Sequence, residues 1–212
     1  MYQDTKILVL DKYLFLCTNY LYMQLVFATN NLNKLKEVQA LLPSTIILLS
    51  LKDIGCYEDI PETQPTIEGN AIQKASYIKN NYGYDCFADD TGLEVESLDN
   101  EPGVYSARYA GEQRDSNDNM NKLLFKLENK TNRSAQFKTV IALYTKNELI
   151  TFTGICKGKI TKVKKGIDGF GYDPIFEPNN YNKTFAEMDL KLKNEIGHRG
   201  KAMKQLISYL QS

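Results

Sequence analysis

The strongest constraint on the fold lies in residues 25–51. Leu25–Thr29 (LVFAT) is a short apolar run closed by Asn30-Asn31, which predicts a buried strand. From Asn33 to Leu42 a helix is expected, because Leu35, Val38 and Leu42 recur at helical spacing and Pro43 ends the run. Thr45–Leu51 (TIILLSL) is rich in β-branched residues and reads as a second strand. Strand, helix and strand in that order suggest a parallel α/β unit, with the helix packed against the sheet.

Further on, Glu68–Tyr82 carries Ala71, Ala75, Ile78 and Tyr82 on one helical face, with Gly83 placed to cap it. Cys86–Ala88 reads as a short strand running into Asp89-Asp90-Thr91-Gly92, and Leu93–Leu98 as strand again. Glu101–Arg114 is loop-like, and Asp115 or Ser116 could cap a helix running to Glu128. Ser134–Tyr144, a turn at Lys146-Asn147, and Leu149–Val163 form an expected antiparallel hairpin. Lys164–Pro178, broken by Gly166, Gly169, Gly171 and Pro174, is an expected irregular loop. His198–Leu210 closes the chain as a helix with Met203, Leu206 and Leu210 on one stripe.

Charge and cysteine content narrow the function. Lys and Arg total 26, as do Asp and Glu, so the chain has no net charge to draw nucleic acid by bulk electrostatics. An anionic ligand would need cations gathered locally. Four scattered cysteines without a CxxC pair argue against a thiolate zinc site and a disulfide framework, and point to reduced cytoplasmic thiols. In the apolar residues 6–22, Lys6, Asp11 and Lys12 interrupt the run, and Tyr13–Met23 is too short to span a bilayer. Residues 1–22 therefore read as a dispensable extension without a membrane role, and 23–212 as one domain beginning at Met23.

Five segments bear chemistry. Thr29-Asn30-Asn31-Leu32-Asn33-Lys34 joins a strand to a helix, where amides, the helix dipole and a lysine would favour phosphate; an ordinary Asn-rich cap has the same composition. Asp89-Asp90-Thr91-Gly92 follows a strand, so neighbouring carboxylates point to opposite sides and one can hold Mg²⁺ or polarise water. A turn uses the same residues. Glu62 matters only if Asp90 lies nearby, and Lys74 only if its helix borders a phosphate. In Gly169-Phe170-Gly171-Tyr172-Asp173-Pro174 the aromatic could stack on a base and Asp173 accept from its N–H groups. In the run from Lys193 to Lys201, His198-Arg199 offers donors at the start of the last helix.

Together and in this order, these segments and Pro102–Tyr109 (PGVYSARY) resemble the Ham1/RdgB-like family of noncanonical purine nucleoside triphosphate pyrophosphatases. The resemblance runs from about Leu25 to Leu210. It implies an elongated mixed α/β sheet with flanking helices, in two lobes separated by a substrate cleft. It also implies a cytoplasmic, Mg²⁺-dependent homodimer that hydrolyses ITP, dITP and XTP to the monophosphate and pyrophosphate. Carried over by position, Thr29 to Lys34 would hold the triphosphate, and Glu62 and Asp90 the metal. Asp90 would accept the proton from water, with Asp89 in support and Lys74 as a further phosphate contact. Thr91 would touch substrate, Phe170, Gly171, Tyr172 and Asp173 would hold base and sugar, and Lys193, His198 and Arg199 would complete the purine site. Thr91 and Gly197 stand where Ser is usual, Leu192 where an acid is, and Gly69 where Glu is.

Overall fold

The structure is a computed structural model that describes residues 23–146 and 148–212. The expectations for residues 1–22 and for Asn147 in the hairpin turn lie outside the described residues. Strand β1 (Met23–Phe27) pairs in parallel with β2 (Ile46–Leu49), from Met23 opposite Ile46 to Val26 opposite Leu49. Helix α1 (Leu32–Gln39) joins them, so the expected parallel unit forms. β2 stops short of Leu51, whose backbone is already helical ahead of the 3₁₀ turn Lys52–Ile54. In α2 (Ile67–Tyr82), the Thr66 side chain accepts from the Gly69 amide at the start, and Gly83 at φ 78° caps the end.

The departure from expectation that matters most is β3 (Cys86–Val95), a single ten-residue strand. Asp89-Asp90-Thr91-Gly92 does not link two strands but lies in mid-strand. The reason is tertiary: β5 (Ser134–Thr145) pairs with β3 along its whole length, placing Asp89 opposite Ile141 and Thr91 opposite Thr139. A continuous ladder overrides the local turn preference of Asp and Gly. At its start β3 also runs parallel to β1, with Cys86 opposite Val26. β5 turns back into β6 (Glu148–Ile160), and the short strands β4 (Pro102–Gly103) and β7 (Phe176–Pro178) pair with β3 and β6. The mixed sheet runs β2-β1-β3-β5-β6-β7, with β4 beside β3.

The remaining helices are α3 (Ser116–Lys126, capped by Asp115), α4 (Leu190–Ile196) and α5 (His198–Leu210). α4 carries Lys193 and is too short for periodicity to reveal. Among the described residues no helix is long and apolar enough to cross a membrane.

Two-residue alternation sorts the core. Leu25, Phe27 and Phe87 face Val38 of α1 and Ala202, Met203 and Leu206 of α5. Val26, Ala28, Cys86 and Ala88 face Ala71, Ala75 and Ile78 of α2 on the other side. A third cluster, including Leu93, Leu123, Phe137, Phe176 and Phe185, fills the far end of the sheet. Continued along β3, the alternation sends Asp89 toward α5 and Asp90 toward α2. α5 can lie directly on β6 because Gly154 has no side chain: a Cβ there would stand 2.0 Å from the His198 carbonyl oxygen and 2.6 Å from the Ala202 amide nitrogen.

Candidate active site

A cavity of about 590 Å³ opens where these elements meet. Thr29, Asn30, Asn31, Asn33, Lys34, Glu62, Lys74, Asp90, Thr91, Phe170, Gly171, Tyr172, Asp173, Lys193, His198 and Arg199 all line it. Leu32 is the exception among the expected contacts: its side chain is 78% exposed and takes no part in the lining. Asp89 lies beneath the wall, fully buried.

On the α1 side, the Asn31 side chain caps the helix by accepting from the amides of Asn33 (3.0 Å) and Lys34 (3.2 Å). The Thr29 hydroxyl accepts from the Asn31 amide at 3.2 Å. The amides expected to face a phosphate are thus partly satisfied within the loop, and side chains supply more of this wall than foreseen. Lys34 donates to Asp89 Oδ1 at 2.8 Å.

On the α2 side, Lys74 is 5% exposed and not the surface lysine its helical setting suggests. Its ammonium donates to Glu62 Oε1 and stands 3.8 Å from Asp90 Oδ1, so one cation sits between the two expected metal-linked carboxylates. The Asn70 side chain ties the same group together: its amide donates to Asp90 Oδ2 at 3.3 Å while its oxygen accepts from the Gln64 amide at 2.9 Å, two residues beyond Glu62. Burial tends to raise the Glu62 carboxyl, but the charge and hydrogen bond of Lys74, with the charges of Lys34 and Arg114, together hold the group below its ordinary range. Asp90 goes the other way: burial raises its pKa, and Lys74 and Lys34 only partly offset the effect.

The third wall is aromatic above a buried charge network. Arg199 donates to Asp89 Oδ2 (3.1 Å), to Glu37, and to the Thr91 hydroxyl (3.2 Å). Lys193 donates at 2.6 Å both to Glu37 Oε1 and to Asp173 Oδ2. Asp173 Oδ2 also accepts from the Phe170 amide at 2.7 Å, so that oxygen is committed to organising its own loop. Gly169 must be glycine here: its φ is 77°, and a Cβ would fall 2.2 Å from that oxygen. The Lys193 ammonium lies 4.7 Å from the Phe170 ring centroid and the Arg199 guanidinium 5.7 Å.

Tyr172 is mostly core, its hydroxyl donating to the Ser106 carbonyl at 2.9 Å. The His198 ring stacks on Phe137 at 4.5 Å, and its Nδ1 has no partner among the described residues. Burial first, then the charges of Arg199 and Lys193, push its pKa well below 6.5, so the imidazole is neutral.

Glu37 is the residue that sequence reading missed. It bridges Lys193 and Arg199 from α1, and without it each of these buried cations would keep only one carboxylate partner, Asp173 for Lys193 and Asp89 for Arg199. The signal was available: Glu37 follows Lys34 by three residues, a spacing that puts both on one helical flank. Thr139, 2.6 Å from the Thr91 hydroxyl, was also missed, and only the β3–β5 register reveals it.

Sheet and cavity define an α/β protein that sets two carboxylates and an aromatic wall around buried, carboxylate-paired cations. Comparison with known proteins gives this class a lineage. The Ham1 family pattern matches residues 25–209, and the chain belongs to the Ham1 family. The dITP/XTP pyrophosphatase of Flavobacterium johnsoniae is 65% identical over 188 residues, covering 89% of this chain and 98% of the relative. The solved Ham1 proteins of Staphylococcus aureus and Coxiella burnetii are 39% and 37% identical, with TM-scores of 0.81 and 0.83. Each comparison covers 89% of this chain and 98% of the other.

Proposed function

We propose that this protein hydrolyses noncanonical purine nucleoside triphosphates (ITP, dITP and XTP) to the nucleoside monophosphate and pyrophosphate. The observation that carries the reading is the joining, in one cavity, of the Glu62–Lys74–Asp90 group to a wall made by Phe170, neutral His198 and Arg199. The names of the similar dITP/XTP pyrophosphatases support it.

Glu62 and Asp90 fit Mg²⁺, a hard cation commonly held by one or two carboxylates together with substrate phosphates and water. When bound, Mg²⁺ would neutralise phosphate charge during the transfer.

Asp90, on the cavity wall 3.8 Å from Lys74, would accept the proton of the attacking water. Attack at the α-phosphorus breaks its bond to the bridging oxygen, which departs with pyrophosphate. Lys74 and Lys34 stabilise the charge that develops there. The Phe170 ring stacks on the base. His198 and Arg199 supply donors that suit a 6-oxo purine and leave the adenine amine unpaired, which disfavours ATP. The same reading makes the enzyme a cytoplasmic homodimer that clears such nucleotides from the pool.

The test is pyrophosphate release from a panel of nucleoside triphosphates with Mg²⁺. ITP and XTP are expected to turn over much faster than ATP. Equal rates would contradict the reading of the base, and no release from any of them would contradict the reaction.

A further inference from the structure

The PGVYSARY stretch has so far supplied no side chain to the reaction, yet it carries Arg108 into the cavity lining, and Arg114 follows from the same segment. Among the described residues, six cations line the cavity. Lys34, Lys74, Lys193 and Arg199 each lie within ion-pair distance of at least one carboxylate. Counted with the carboxylates they engage (Glu37, Glu62, Asp89, Asp90 and Asp173), these four cations form a group with no excess positive charge. A nucleotide tail carrying several negative charges gains little net attraction from it. Arg108 and Arg114 differ: neither has a hydrogen-bonded or ion-paired acceptor among the described residues. Asp59 and Glu112 also line the cavity, and neither is within ion-pair distance of either arginine. The contact that Arg108 does make is with the Tyr105 ring, 5.3 Å from the guanidinium to the centroid, and an anion can displace it at small cost.

The turn that presents Arg108 is firmly held. The Ser106 hydroxyl accepts from the Leu93 amide of β3 at 2.9 Å and donates to the Gly103 carbonyl at 2.6 Å. Asn119 of α3 donates to the Ala107 carbonyl (3.0 Å) and accepts from the Ala110 amide (2.6 Å). A backbone tied to both β3 and α3 carries a guanidinium whose donors are unused. That arrangement suits a planar, bidentate partner for phosphate oxygens.

We propose that Arg108 and Arg114 are substrate-binding residues that grip the polyphosphate tail and retain pyrophosphate after cleavage, beside the buried lysines, whose charge is shared with the carboxylates. This rests on the function proposed above, and the experiment separates the two. Wild type, Arg108→Gln and Arg114→Gln are titrated with Mg²⁺-pyrophosphate and, separately, with inosine, and are assayed on ITP. Each variant is expected to bind pyrophosphate about tenfold or more weakly and to show a raised KM for ITP, with inosine affinity retained. Arg108→Lys should recover part of the loss.

Unchanged pyrophosphate affinity in both variants, or an equal loss of inosine binding, would overturn the assignment. A wild type that neither binds pyrophosphate nor cleaves ITP would overturn the underlying function instead. Turnover by the wild type with undiminished binding in the variants would remove the arginines alone.

Discussion

Burial acts on Asp89 and Asp90 alike, and their neighbours decide the outcome. Burial tends to raise Asp89, but Lys34 and Arg199 outweigh it and hold the carboxyl well below the usual range, so it serves as a fixed anchor. Asp90 meets Lys74 only at 3.8 Å, and burial keeps its pKa raised. Asp90→Asn is expected to lower kcat on ITP by about 10²–10⁴-fold while KM moves little. Steady-state pyrophosphate release measures both, and near-normal turnover would remove Asp90 from the role. At this scale much of the site was legible, because Asp89-Asp90-Thr91-Gly92, the GFGYDP loop and His198-Arg199 are unusual strings. Glu37 was not, since a helical glutamate ordinarily faces water and only the fold reveals which cations it meets.

Elements were readable where a pattern is local. The α2 face, its glycine cap and the strand–helix–strand opening follow from spacing alone. β3 was divided in two because its central residues favour turns, while the partner that straightens them lies some fifty residues on in β5. The seat of α5 on β6 was equally hidden, because Gly154 looks like any strand glycine until the helix is laid over it. Gly154→Ala forces a Cβ against helix backbone that cannot yield without moving His198 and Arg199. A loss of about 1–3 kcal/mol is expected, lowering Tm by about 2–4 °C per kcal/mol, together with a reduced kcat/KM on ITP. Thermal melting and kinetics check it, and an unaltered Tm would mean that α5 does not rest there.

For the whole molecule, a buried site rich in charge ties stability to pH. His198 is neutral in the fold and titrates near 6.5 when unfolded. Below that pH the unfolded chain takes up a proton the native state refuses, so stability falls as pH drops. Glu37 adds a second loss. Burial raises its pKa, but Arg199 and Lys193 depress it more, so the stability it contributes is present above about 4.5 and disappears as pH falls through its lower native value. Urea midpoints followed from about pH 7.5 to about pH 4 should decline from below about 6.5 and more steeply below about 4.5, by up to about 1.4 kcal/mol per pH unit for each group. His198→Phe should flatten the first limb, and a level profile there in the wild type would contradict the assignment.

The unbroken pairing of β3, β5 and β6 has one more consequence. These three strands pass behind the cavity from one core to the other, so any change in the angle between the two ends must bend a paired sheet rather than swing about a single linker. The rim shares that stiffness: the Thr29–Lys34 loop is hydrogen-bonded within itself and the turn at Arg108 is tied to β3 and α3, so the cavity is a largely preformed socket.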